Sequence, residues 1–460
     1  MKTSFKKISA VILILVSILS LFVGCGGDGK MFESDGFKYK VYSKHVELLE
    51  YTGEGGDVKI PSKLKGKVIT KLGEGLFKNR SNIKTVEIAD SITEIGAEAF
   101  SHCTALTVIE LPEGVKTLGT GVFSFCNILR SVTLPSTLQV LPDNAFYQAL
   151  SLESVELPEG LVEIKPYAFY ACEALEEVAF PSTLVTVGES AFRGCSSLKK
   201  AVLSDSVKTL GNNCFEDCPK LVEFKAGSGL ESLGDQCFLK CPKLEKVTLN
   251  DGLLKVGAAA FSGSAVGEIV FPDTVTEIGD NCLAECAKLA SVKLPESITV
   301  ISNGMFDGCK ILPTVEIPSG VTAIGNNAFK GCELLEAPKM PEGIVKVGDY
   351  AFARCVKIEK LVFTDALSSI GAGAFSHCVS MSDIKLGNGL TSVGAGAFES
   401  CWSILYITLP ATVNSVGEGA FKSCSYLRLV TVKKEKGSFD TSNWGKGFNV
   451  KWQPETEGNK

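Results

Sequence analysis

Seventeen cysteines and three histidines are the residues of this chain most suited to chemistry. Thirteen of the cysteines, from Cys103 and Cys126 to Cys401 and Cys424, take one slot of a recurring pattern. Apart from Cys25, this leaves Cys214, Cys237 and Cys282, which form Cys-x-x-x-Cys pairs with Cys218, Cys241 and Cys286. That spacing falls within loose zinc-ligand ranges, but the repeat generates it without a metal. Free cysteine is among the most buried residue types and packs as a small hydrophobe, so the pattern predicts a ladder of buried thiols. Disulfides between neighbouring coils are the alternative. Their Cα spacing would permit a bridge, although side chains on stacked coils point in parallel rather than at each other. His102 and His377 share one slot in coils twelve apart, and His45 stands alone. No Cys-His pair with an orienting group results, which is what an activated nucleophile needs. Glu156, Glu177 and Asp383 are scattered carboxylates without a convergent acid–base partner. Walker A, His-Glu-x-x-His and Gly-x-Ser-x-Gly motifs do not occur. The sequence predicts no catalytic residue, no cofactor and no metal.

The elements that hold these residues are set by a ruler. Phenylalanine stands at 77, 100, 123, 146, 169, 192, 215, 238 and 261, each 23 residues after the last. Leu283 follows 22 residues on, and phenylalanine resumes at 306, 329, 352, 375, 398 and 421. A fixed period of this length is the mark of a solenoid, in which each unit buries its core only against its neighbours. One coil reads Leu106-x-x-Ile109-x-Leu111-Pro112, Val115-x-x-Leu118-Gly119, Phe123-x-x-Cys126. The step of two from Ile109 to Leu111 is strand spacing, with Glu110 turned outward. Pro112 has no amide to donate and ends the strand at a corner. Gly119 allows a backbone turn that a side chain would resist. Twenty-three residues hold two short strands and turns better than a long amphipathic helix.

The consensus Leu-x-x-Ile-x-Leu-Pro-x-x-Val-x-x-Ile-Gly-x-x-Ala-Phe-x-x-Cys, clean at Leu289 to Pro295, resembles the BspA-like (Treponema pallidum type) leucine-rich repeat family over about residues 58–432. The resemblance implies a right-handed, curved, β-rich solenoid of 23-residue coils with little helix and a parallel sheet along its concave side. It also implies a surface protein of a bacterium or protist, of a kind implicated in adhesion to host or extracellular-matrix proteins.

The start of the chain resembles a bacterial lipoprotein signal. Lys2, Lys6 and Lys7 precede an apolar run that ends Leu21-Phe22-Val23-Gly24-Cys25. Phe22 departs from the leucine that such signals prefer, and an uncleaved signal anchor is the alternative. Either reading exports the rest. The expected organisation is a signal peptide over 1–24, lipid on Cys25 and a flexible tether over 25–36. A β cap with a degenerate first coil follows over 37–76, then repeats over 77–432 and a closing cap and tail over 433–460. The protein is thus expected outside the cytoplasm, tied to a membrane through Cys25. Net charge is −6 without a basic patch, which excludes a nucleic-acid footprint.

Three coils break the pattern. One residue is missing between Phe261 and Leu283, Pro338 takes a strand slot, and Pro142 and Ala149 replace the usual glycine and cysteine. Pro338 should interrupt its strand, and the short coil should change the curvature locally near 261–283; neutral drift in a tolerant array is the alternative. Partner recognition is expected from the outward slots, which do not repeat. The candidates are Glu110, Glu156, Lys225, Lys293, Glu316, Lys339 and Lys385, with Trp402 and Tyr406 as aromatics outside the core. The partner class is an extracellular or host protein; a spacer or envelope scaffold without a ligand is the alternative.

Overall fold

The computed structural model describes residues 30–454. The signal segment, Cys25 and Gly26 to Gly29 lie outside the described residues. The chain forms a parallel β-solenoid of about 18 turns with coils of about 23 residues. Among the described residues there is no helix.

The chain's first described strand corrects one expectation. β1 (Lys30–Ser34) occupies the second half of the stretch assigned as tether and pairs antiparallel with β2 (Phe37–Val41). The link is Asp35-Gly36, at φ 53° and 77°. Two consecutive left-handed residues make the tight hairpin turn whose twist suits flanking strands, and Asp-Gly is its usual sequence. β3 (Val46–Tyr51) pairs back on β2 and, in parallel, on β6 (Lys67–Leu72). β4 (Gly56–Lys59) starts a second sheet, and β5 (Lys63–Leu64) folds back on β6. This hairpin-and-bend unit covers the open end of the first coils.

Each later coil has three sides. The first carries three-residue strands such as Val108–Glu110, Ser131–Thr133 and Ser154–Glu156, with Ile109, Val132 and Val155 in register and inward. The second carries two-residue strands, for example Glu163–Ile164 on Thr186–Val187. The third side is a turn in which alternate amides reach the next coil: Phe100 N donates to Val122 O at 2.9 Å and Phe123 N to Ala145 O at 2.8 Å. The amides between them close i→i−3 turns, as Ser101 N does on Glu98 O. This alternation puts two left-handed residues in each turn, here Glu98 (φ 53°) and His102 (φ 58°).

The ruler residues fill the axis. Phe100 and Phe123 stack with centroids 5.3 Å apart, and the stack runs from Phe77 to Phe261 and again from Phe306 to Phe421. Leu283 fills the gap and is fully buried.

The second-side ladder breaks twice: between Thr117–Leu118 and Val140–Leu141, and between Glu277–Ile278 and Val300–Ile301. Both breaks fall where the slot after the strand loses its glycine and its backward amide bond, at Pro142 and Ser302. Lys165 also replaces the glycine but keeps that bond, to Leu141 O at 2.9 Å, and its ladder is unbroken. In most coils glycine also gives room where the backbones approach closely. A Cβ on Gly119 would lie 2.1 Å from Ala97 N, and one on Gly234 would lie 2.5 Å from Asn212 N. The glycine amide also bonds backward, Gly119 N to Ile95 O at 2.8 Å. Pro142 has no such amide. Ser302 sends its hydroxyl, instead, to the carbonyl of Ile278.

The first-side ladder has several gaps, one of them at the short coil and another between Asp383–Lys385 and Tyr406–Leu409. On the first side, the sheet ending at Lys246–Thr248 is not bonded to the one starting at Glu268–Val270. The second side passes through intact, with Lys255 opposite Glu277 and Val256 opposite Ile278. Residues 337–339, which include Pro338, form no strand, and neither do the equivalent stretches 177–179 and 314–316, which hold no proline. At the far end, Asn449–Trp452 pairs in parallel with Leu429–Val432. Trp444 is fully buried, edge-on to Phe421 at 5.9 Å, while Trp452 packs on Phe439.

Candidate interaction surfaces

The thiols are sealed inside. All sixteen described cysteines are free and buried. In the shared slot each sulfhydryl donates to the carbonyl of the ruler residue one coil back: Cys126 to Phe100 O at 3.1 Å, Cys195 to Phe169 O at 3.2 Å, Cys401 to Phe375 O at 3.0 Å. Burial pushes the thiols of Cys103, Cys195 and Cys378 up to about 12 and those of Cys286 and Cys424 to about 11. A nucleophilic or metal-binding cysteine needs its thiolate, and this environment suppresses it. Among the described residues, no three His, Cys, Asp or Glu side chains converge as metal ligands.

His102 lies 3.0 Å from Ser101 Oγ, which in turn accepts from Ser124 Oγ at 2.9 Å. No carboxylate completes the chain, Ser101 is buried, and the imidazole stacks on Phe125 at 4.4 Å. This is turn packing, not a triad.

The outward positions of the first side are where the sequence placed them. Glu110, Glu156, Lys225, Lys293 and Lys385 lie exposed on strands; Glu316 and Lys339 are exposed where strand pairing lapses. They form a line rather than a cluster. Stacked strands are ~4.8 Å apart, so Glu110 and Lys385, twelve coils apart, are separated by roughly 58 Å. Lys293 pairs with Asp273 at 3.3 Å; Lys225, Lys339 and Lys385 make no ion pair among the described residues.

Sequence reasoning missed the neighbouring column. Each first-side strand turns both flanks of its inward residue outward, so Val108 opens a column beside Glu110, and Tyr406, already a candidate, belongs to it. Apolar side chains recur on this face, with Val202, Val270, Val362 and Tyr406 all exposed. Toward the C-terminal end, Trp402, Leu405, Tyr406 and Tyr426 bring four exposed apolar side chains onto two neighbouring coils, at 47, 40, 59 and 65 % exposure. The first-side gap at the short coil adds a shallow depression of about 490 Å³ lined by Glu223, Lys246, Thr248, Asp251, Glu268 and Val270.

A second unforeseen feature is Glu216, which is buried on the third side. Arg193 Nε lies 3.2 Å away, Asn213 Nδ2 donates at 2.7 Å and Lys240 Nζ lies 3.8 Å away. Arg193 in turn sits over the Tyr170 ring at 5.9 Å, and Tyr170 stacks on Tyr147 at 4.8 Å. These residues share the slot after the ruler in four successive coils, which is the signal that could have revealed them.

The repeat grammar, the buried thiol slot and the paired ladders all describe one family. A family profile described as "BspA type Leucine rich repeat region (6 copies)" matches residues 57–149, 139–266, 255–366 and 345–443. The chain belongs to the BspA-type leucine-rich repeat family. A leucine-rich repeat protein from Bacteroides ovatus has a similar fold, with TM-score 0.61, 24% identity and coverage of 94% of this chain and 100% of that one. The leucine-rich repeat protein of T. pallidum is 25% identical over 51% of this chain and 89% of its own, with TM-score 0.31. A leucine-rich cell surface protein from Faecalibacterium prausnitzii is 22% identical over 93% and 95%, again with TM-score 0.31. No curated protein matches the chain. BspA-type repeats thus account for the scaffold.

Proposed function

We propose that this protein is an extracytoplasmic repeat protein, held to a membrane by lipid on Cys25, whose first-side face binds another protein. The partner class is an extracellular or host protein, and the role is adhesion or protein–protein interaction without catalysis. The observation that carries this reading is the contrast between the two sides of each strand. Inward residues repeat from coil to coil, while the outward columns vary freely and expose Tyr406, with Leu405 exposed just before it and Trp402 and Tyr426 exposed in the turns leading into the last two first-side strands of the repeats. Solenoids use such extended variable faces for recognition, and exposed Trp and Tyr are enriched in interface cores. Buried thiols with raised pKa and the lack of a convergent acid–base pair support a binding role over an enzymatic one. Leucine-rich cell surface proteins of similar repeat type support the location.

The test is a pull-down of the lipid-free chain against host-cell surface and matrix proteins, with a Trp402→Ala, Tyr406→Ala, Tyr426→Ala variant beside it. Saturable binding lost in the variant supports the reading. Absence of saturable binding, with adhesion indifferent to loss of the protein, favours the scaffold role.

A further inference from the structure

Charge is divided unevenly along this molecule. The cap, Lys30 to Leu72, carries nine lysines against six acidic residues, whereas residues 73–460 carry 34 basic against 45 acidic. The cap is therefore positive by three and the repeat body negative by eleven. Only Lys38, Lys59 and Lys71 of the cap lysines form ion pairs among the described residues; Lys30, Lys40, Lys44, Lys63, Lys65 and Lys67 form none.

Of these, Lys30 lies on β1, Lys40 opposite Met31 and Lys65 beside Phe32. Lys65 Nζ stands 5.6 Å over the Phe32 ring, which fixes the β5–β6 turn beside the edge strand. Lys67 Nζ donates to Tyr42 O at 2.6 Å, and Lys30 lies opposite Val41, the residue before Tyr42. β1 is the outermost strand of its sheet, with Met31 63 % and Phe32 38 % exposed. The edge strand therefore exposes an apolar side chain on each of its faces, Phe32 and Met31, with Lys30 on the strand and Lys65 over Phe32, and with Glu33 as its one exposed carboxylate. Its position in the chain matters as much. Lys30 is five residues after Cys25, a span of at most about 18 Å at ~3.6 Å per residue.

We propose that this cap edge docks onto an anionic phospholipid surface, with Phe32 and Met31 entering the interface and Lys30, Lys63, Lys65 and Lys67 meeting the headgroups. Basic groups near an anionic bilayer each strengthen attachment by about fivefold, and an apolar residue in the headgroup region adds to it. A basic patch with apolar side chains attaches a surface to an anionic bilayer independently of any lipid on Cys25. The acidic repeat body is repelled by the same surface, so docking would orient the solenoid away from it. The proposal takes its proximity argument from the lipid-anchor reading, but the surface chemistry stands on the cap alone.

The test uses the chain beginning at Gly26, which retains every described strand, in flotation with phosphatidylcholine vesicles with and without phosphatidylglycerol. Binding is expected only with phosphatidylglycerol, to fall with added salt, and to drop at least tenfold for Lys30→Glu, Lys63→Glu, Lys65→Glu and severalfold for Phe32→Ser. No binding at low salt, or full binding by the triple lysine variant, overturns the proposal. Attachment that tracks self-association in size-exclusion assigns the edge to a second copy and likewise overturns it. Mass spectrometry of Cys25 from cells tests the anchor separately. An unmodified cysteine with intact vesicle binding refutes the anchor only, and an acylated cysteine without vesicle binding refutes the docking only.

Discussion

The thiol of Cys309 donates to the carbonyl of Leu283 at 3.1 Å, the same bond that Cys332 makes to Phe306 at 3.1 Å. The bond survives the one position where the ruler residue is not phenylalanine. The cysteine slot therefore reads the backbone of the preceding coil, not its side chain. Its carbonyl already accepts the Cys286 amide at 3.3 Å, so removing the thiol leaves no orphan acceptor. Cys309→Ala is expected to cost about 1–2 kcal/mol, from lost packing and one weak bond. Thermal melting of variant and parent gives the value.

Alkaline pH should unfold the array. The thiols ionise near 9 when free and are held up to about 12 at Cys103, Cys195 and Cys378 in the fold. The folded state thus binds protons that the unfolded state releases. Their contribution is fully present below pH 9 and is lost as pH climbs toward 12. Circular dichroism against pH should show a cooperative loss starting above pH 9. In native protein at pH 8 a thiol reagent should leave the described cysteines unmodified, and denaturant should expose all of them.

At Gly234 the second-side corner leaves no room for a side chain, unlike the corner that holds Lys165 after Pro142. Gly234→Ala would place a methyl 2.5 Å from Asn212 N and Gly211 C, both backbone atoms. The expected cost is about 1–3 kcal/mol. Pro142→Gly should do the reverse and restore an amide facing Leu118. Slower hydrogen exchange in the strands beside residue 142 would report the repaired ladder.

Trp444→Ala should cost more than any surface change, about 3–5 kcal/mol, because a fully buried indole closes the last coil over Phe421. Trp402→Ala and Tyr406→Ala, by contrast, should stay within about 0.5 kcal/mol. Parallel melts of the three variants separate the closing residue from the exposed ones.

The core was legible because it repeats. Phe100, Cys103 and Ile109 each stand in a column whose period is visible without coordinates, and a column that recurs so often has one physical job. The left-handed pairs were legible in part. The slot two before the ruler holds glycine or asparagine in ten of sixteen coils, but Glu98, Tyr167 and Tyr350 adopt the same positive φ and blur the signal. Asp35-Gly36 was a hairpin signal overlooked beside a Gly-rich stretch. The binding columns were half seen, since attention to the step between Ile109 and Leu111 picks out Glu110 and passes over Val108. Glu216 escaped because its partners, Arg193 and Lys240, are each one coil away and meet it only when the coils stack.

Load applied along the axis would not be shared evenly. Pro142 and Ser302 divide the second-side ladder into a segment built on the cap, a seven-strand run from Val140 to Ile278 and a six-strand run from Val300 to Val416. A chain tethered at one end and held by a partner at the other is a tensile member with two seams. Under traction those seams are the places where the array should part first, so that it yields in blocks and its extension traces show discrete steps rather than one rupture.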